Sequence, residues 1–150
     1  MAPEQRETAP AALKLRAVDD EDLAVLSAVL QDALVPVGEM AYLPEERRFV
    51  LVANRFVWER KPRDDGKHYE RTLAGIAFDE VDAVKIRGFD RAHPDRILQI
   101  LAVHTVPGAI VFDFSGNDSL RLETGRILCH LEDLGEPWPT PWRPHHPVDE

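Results

Sequence analysis

The chain has a single cysteine, Cys129. No intrachain disulfide and no cysteine-based metal knuckle can form, which excludes a disulfide-stapled scaffold and fits a reducing compartment. Long apolar runs are also missing. The longest lies near Ile97–Val103, and Gln99 interrupts it; a spanning helix needs roughly 20 apolar residues. Residues 1–12 carry charges and two prolines but no apolar block. They are expected to be a flexible N-terminus, neither signal peptide nor anchor. Positive charge is scarce: 18 Lys and Arg stand against 27 Asp and Glu, a formal net charge of −9. A field of that sign repels phosphate backbones and anionic membranes, so neither is an expected partner. Catalytic signatures are missing too. There is no G-x-S-x-G elbow, no phosphate loop, no G-x-G-x-x-G and no H-E-x-x-H, and each of these places specific groups at fixed spacing for its chemistry. The expected setting is the cytoplasm, with no cofactor and no metal.

What is present is an ordinary globular composition, 44% apolar and 30% charged over 150 residues. That length suits one domain with enough core to need no staples. The hydrophobic period changes once. Residues 19–34 follow a helical period, with Leu23, Leu26, Leu30 and Ala33/Leu34 in phase and Val25 and Val29 widening the stripe. Asp19 or Asp20 can cap the first turn, and the acidic run 19–22 suits the positive end of the dipole. Pro36 and Gly38 are expected to stop the helix soon after Leu34.

Beyond residue 39 the period is that of strands. Glu39–Leu43 is short. Arg48–Trp58 is apolar on both faces: Val50, Val52, Phe56 and Trp58 on one, Phe49, Leu51, Ala53 and Val57 on the other. Residues 61–67 form a Pro- and Asp-Gly-containing hairpin loop, and Glu70–Phe78 returns from it. Val81, Val84 and Ile86 continue after a bend. Ile97–Thr105 suits a strand or a short helix. Ala109–Phe114 and Ser119–Leu131 flank a compact connection. Within the last segment Leu120, Leu122 and Thr124 share one parity, and Ile127, Cys129 and Leu131 the other. A bulge at Gly125 would let both sets face the core. The expected fold is α+β: one N-terminal helix packed on a strongly bent antiparallel sheet of seven strands. A roll or partial barrel, pleckstrin-homology-like or Sm-like, meets this pattern. The domain spans 13–134. Residues 135–150, with five prolines and two tryptophans, form an extended tail whose Trp138 and Trp142 either pack on the body or anchor a partner.

Chemistry has few candidate carriers. His104 and His130 lie on expected strands and could converge with a carboxylate, although isolated strand histidines are more often structural. His145-His146 in the tail reads as incidental. Cys129 and His130 are neighbours on a strand and point to opposite faces, so the thiol reads as buried and structural. One stretch departs from the acidic whole: from Arg47 to Arg71 there are eight basic and four acidic residues. Within it Arg55 interrupts one apolar face and Asn54 the other. Polar groups on a central strand must find partners. One reading is an internal network, Arg55 with Glu70 and Asn54 with a loop. The other is an anion pocket built from Arg55, Arg71 and Lys85 or Arg87, since a guanidinium fork suits carboxylate and phosphate.

VLVANRFVWER (Val50–Arg60), AGIAFDEVDAVKIRGFDR (Ala74–Arg91) and LEDLGEPWP (Leu131–Pro139) resemble an alphaproteobacterial family that carries a domain-of-unknown-function label, DUF2948. The resemblance runs from Leu13 to about Pro139. It implies a bacterial, cytoplasmic, single-domain protein and transfers no catalytic residue, cofactor or substrate. Its matched residues include Asn54, Arg55, Trp58 and the Asp133-Leu134-Gly135 turn. The combined expectation is a non-enzymatic binding or protein-interaction module whose partner is a protein or, through an exposed sheet edge, a second copy of the chain. The alternative is a small anionic-ligand-binding protein or weak enzyme that uses Asn54, Arg55, Trp58, Arg71 and Arg87.

Overall fold

The structure is a computed structural model and describes residues 12–58, 69–135 and 138–140. The expected 61–67 loop, His68, and Trp142 and His145-His146 of the tail lie outside the described residues.

The acidic run starts a helix, α1 (Asp20–Val29). Asp19 is its cap and accepts a hydrogen bond from the Asp22 amide at 2.8 Å. Asp22 reaches back to the Val18 amide at 3.0 Å, so each carboxylate occupies a donor that the helix itself leaves free. Leu23, Leu26 and Leu30 face the core. The helix does not run on to Leu34. Asp32 turns left-handed at φ 65. Its amide donates to the Ile100 carbonyl at 2.8 Å, and the Ile100 amide returns a bond to Ala33 at 2.9 Å. A strand captures the chain there, and Leu34 becomes the first residue of β2. The helical spacing of Leu30, Ala33 and Leu34 therefore serves two elements.

Eleven strands follow in chain order among the described residues: β1 (Lys14–Ala17), β2 (Leu34–Pro36), β3 (Met40–Leu43), β4 (Arg48–Phe56), β5 (Tyr69–Phe78), β6 (Ala83–Arg87), β7 (Ile97–Val106), β8 (Ala109–Phe114), β9 (Ser119–Glu123), β10 (Cys129–Asp133) and β11 (Trp138–Thr140). Seven were expected; β1, β2 and β11 are short additions, and one expected strand divides into two. Ile97–Thr105 is a strand. The sheet is antiparallel and open, in the order β1-β10-β5-β4-β2-β7-β8-β9-β6, with β3 also on β4 and β11 also on β5. The long β4–β5 hairpin is its spine. Each outer edge of that hairpin is shared by two shorter strands, β3 and β2 on one side and β10 and β11 on the other.

Gly125 does not mark a bulge within a strand. The segment ends at Glu123 and resumes at Cys129, because β9 pairs with β6 and β8 whereas β10 pairs with β1 and β5. The Thr124 hydroxyl, 2.9 Å from the Glu80 carbonyl and 2.8 Å from that of Arg126, secures the turn. The parity change is real: Leu120, Leu122, Cys129 and Leu131 are all buried. It reflects a crossing between two parts of the sheet.

The core lies inside the curl. Phe78 of β5 meets Phe112 of β8 edge-on, with centroids 5.7 Å apart. Phe112 stacks on Phe114 at 6.1 Å, and Phe114 meets Phe89 edge-on at 5.9 Å. The buried leucines of α1 belong to the same cluster. Among the described residues no helix is long and apolar enough to cross a membrane.

Candidate functional site: two arginines on opposite faces of one hairpin

Alternation along β4 sends Phe49, Leu51, Ala53 and Arg55 inward and Val50, Val52 and Asn54 outward. Arg55 therefore arrives on the core side, with 0% of its surface exposed. A guanidinium there requires a carboxylate and full hydrogen bonding. Asp133 supplies both of its oxygens: Arg55 Nε donates to Oδ1 at 3.0 Å and Nη2 to Oδ2 at 2.9 Å. Arg55 Nη1 donates to the Phe56 carbonyl at 2.9 Å. Asp133 in turn accepts from the Leu13 amide at 2.9 Å and donates its own amide to the Leu13 carbonyl at 2.9 Å. Thr72, opposite Arg55 in the ladder, donates its hydroxyl to the Gly135 carbonyl at 3.2 Å. The Asp133-Leu134-Gly135 turn is thus fastened to the hairpin from beneath. The internal-network reading of Arg55 is the one this geometry fits. The carboxylate that grips the fork is Asp133, where the sequence pointed to Glu70.

Arg71 lies on the other side. It pairs with Phe56 in the ladder, and its guanidinium carbon stands 3.8 Å from the Phe56 ring centroid. That is a cation–π contact on a buried ring. Its Nη1 donates to the Asn54 side-chain oxygen at 2.7 Å and to the Asn54 carbonyl at 3.0 Å. Asn54 is thus bonded to Arg71, not to a loop. Among the described residues Nε and Nη2 of Arg71 make no hydrogen bond, and no carboxylate pairs with it. Half-burial pulls its pKa down to about 10, and the charge of Asp32 offsets only part of that. Trp58 completes the cluster. Its ring lies 5.4 Å from that of Phe56, it is 46% exposed, and its indole N–H donates to the Gln31 carbonyl at 3.3 Å. Buried Asp32 accepts from Gln99 at 2.8 Å, on the row that runs Asn54, Leu34, Gln99 across β4, β2 and β7.

Of the five candidate residues, Asn54, Trp58 and Arg71 come together. Arg55 sits on the opposite face. Arg87 is exposed on β6 opposite Ser119, at the far end of the strand order. Lys85 is also there, 3.8 Å from Glu123. The roles of Phe56, Asp32 and Gln99 were missed. Counting the hairpin register would have found Phe56 beside Arg71; Gln99 stood out only as the polar break in the apolar run 97–103, and nothing local tied it to Asp32.

The histidines do not converge. His104 sits 2.8 Å from Asp113 across the exposed β7–β8 ladder, and His130 is on β10. Among the described residues no group of three His, Cys, Asp or Glu could hold a metal ion. Cys129 is buried and its neighbour His130 exposed, as alternation requires. Burial pushes the thiol up to about 12, with the charge of Asp79 adding to it. The protonated form is favoured by folding, so this contribution to stability is complete below the ordinary thiol range and is lost as pH rises from about 9 towards 12. At pH 8 the native thiol is expected to resist a disulfide-exchange reagent and to react stoichiometrically once the protein is unfolded in guanidinium. Absorbance of the released chromophore measures both, and equal rates in the two states would contradict the burial.

An open antiparallel sheet and a single described α-helix place the molecule among small α+β proteins. A family model described as a protein of unknown function, DUF2948, matches residues 13–146. The chain belongs to that family. No curated protein and no solved structure matches it significantly.

Proposed function

We propose that the protein is a non-enzymatic binding module of the bacterial cytoplasm and that it holds an anionic group of its partner at Arg71. The observation that carries this reading is the contrast between the two hairpin arginines. Arg55 is neutralised on three sides by Asp133 and a carbonyl. Arg71 is stacked and tethered through one nitrogen, and among the described residues Nε and Nη2 make no hydrogen bond. A cation that is partly desolvated and uncompensated gains more from an incoming anion than a solvated one does. The site also lies in an acidic protein, so local geometry and not the overall field must attract the anion. A strongly bent roll of the pleckstrin-homology type is the finer architecture this reading favours, because such a sheet exposes an outer face for binding.

The test is a thermal titration with sodium acetate against sodium chloride of equal ionic strength. Ligand that binds only the native state raises Tm, by about 2.7 kcal/mol of stabilisation at a hundredfold excess over Kd. Wild type is expected to show a saturable rise that Arg71→Ala abolishes. An identical response in both proteins would remove Arg71 from the binding site.

A further inference from the structure

Resting on the proposed role of Arg71, we infer that the site selects a carboxylate attached to a flat apolar group, in preference to phosphate and to a bare carboxylate. A guanidinium offers two bidentate edges, one across Nη1 and Nη2 and one across Nε and Nη2. The first is taken, because Nη1 is committed to both oxygens of Asn54. The second is left, two parallel N–H donors that match the two oxygens of one carboxylate. Phe56 covers one face of the guanidinium plane, so the ligand lies in that plane. Phosphate finds little more to bind. One fork serves two of its oxygens, and among the described residues no second cation contacts Arg71. The Asp32 carboxylate close by repels a dianion more than a monoanion. The N-terminus of the one described helix is already capped by Asp19.

The apolar preference comes from the neighbours. Trp58 is 46% exposed and Leu73 42%, and both belong to the outward face that carries Arg71. The hydrogen bond to Gln31 and the contact with Phe56 hold the Trp58 ring in place. A fixed, half-exposed indole beside a cation binds a flat group with little loss of side-chain entropy. Asn54 is the positioning residue, since it decides which edge of Arg71 is free.

Isothermal titration of the full chain at pH 7 and constant ionic strength, with phenylacetate, acetate and inorganic phosphate as probes, tests this. Phenylacetate is expected to bind at least tenfold more tightly than acetate, and phosphate no more tightly than acetate. Arg71→Lys keeps the charge and loses the fork, so phenylacetate binding should fall at least tenfold. Trp58→Ala should reduce phenylacetate to the level of acetate. Circular dichroism confirms that each variant is folded. Phosphate binding as tightly as phenylacetate, or phenylacetate indifferent to Trp58→Ala, would overturn the selectivity while leaving an anion site at Arg71. No heat with any of the three anions would overturn the anion site itself.

Discussion

Replacing Arg55 by alanine is expected to destabilise the protein by about 3–5 kcal/mol, the usual cost of leaving one partner of a buried ion pair uncompensated. For a chain of this size that corresponds to a fall in Tm on the order of 10 °C. The reason is geometric. Arg55 has no exposed surface, and its fork is the bidentate partner of Asp133. Without it the Asp133 carboxylate keeps only the Leu13 amide, and the hold of β1 and the 133–135 turn on the hairpin weakens. Asp133→Ala should destabilise by a similar amount, because it strands the guanidinium instead. The double replacement Arg55→Met with Asp133→Leu removes both charges and should recover much of the loss. Thermal denaturation of the three variants measures this. None of them should lose anion binding at Arg71 while folded, since Arg55 and Arg71 lie on opposite faces. A Tm for Arg55→Ala within 2–3 °C of wild type would show that the pair is not buried as described.

Phe112→Ala is the second large effect. Phe112 has 0% of its surface exposed. It touches Phe78 on the β4–β5 side of the sheet and Phe114 on its own side. Truncating it removes the transfer energy of the ring and leaves a cavity where β5 and β8 meet, about 3–5 kcal/mol together. Because those strands have β4, β2 and β7 between them in the sheet order and meet across the core, the loss should affect both halves at once. Urea unfolding is expected to shift its midpoint with the slope unchanged, and fluorescence and circular dichroism should still coincide. Two separate transitions would mean that the halves hold independent cores.

Much of this was legible in the residues. Alternation gave the two faces of β4 and put Arg55 and Asn54 on opposite ones; because both faces are apolar, it did not say which one is sealed. The same alternation separated Cys129 from His130. The acidic run gave the helix start, because a cap acts locally through Asp19 and Asp22. The helix end was not legible. The stripe Leu30, Ala33, Leu34 satisfies a helix and a turn into β2 equally well, and the choice is made by Ile100, nearly seventy residues away. The identity of Arg55's partner is hidden for the same reason. Asp133 reaches it only because β10 lies on the other side of β5, a pairing no local pattern announces. Glu70 was the carboxylate expected across the hairpin, and the register puts Thr72 opposite Arg55 instead. The anion pocket was drawn from charge alone and so combined arginines that the pleat and the strand order keep apart. Arg71 stands out only once Phe56 and Asn54 are seen beside it.

The claim on which the function rests is that one hairpin arginine is sealed and the other is open. Nitrogen-15 NMR of the arginine Nε–H groups, assigned through Arg55→Lys and Arg71→Lys, addresses it directly. The Arg55 signal should exchange slowly with solvent and stay fixed as acetate is added, while the Arg71 signal exchanges readily and moves with saturation. An Arg71 signal that is as protected as that of Arg55 and indifferent to acetate would contradict the account.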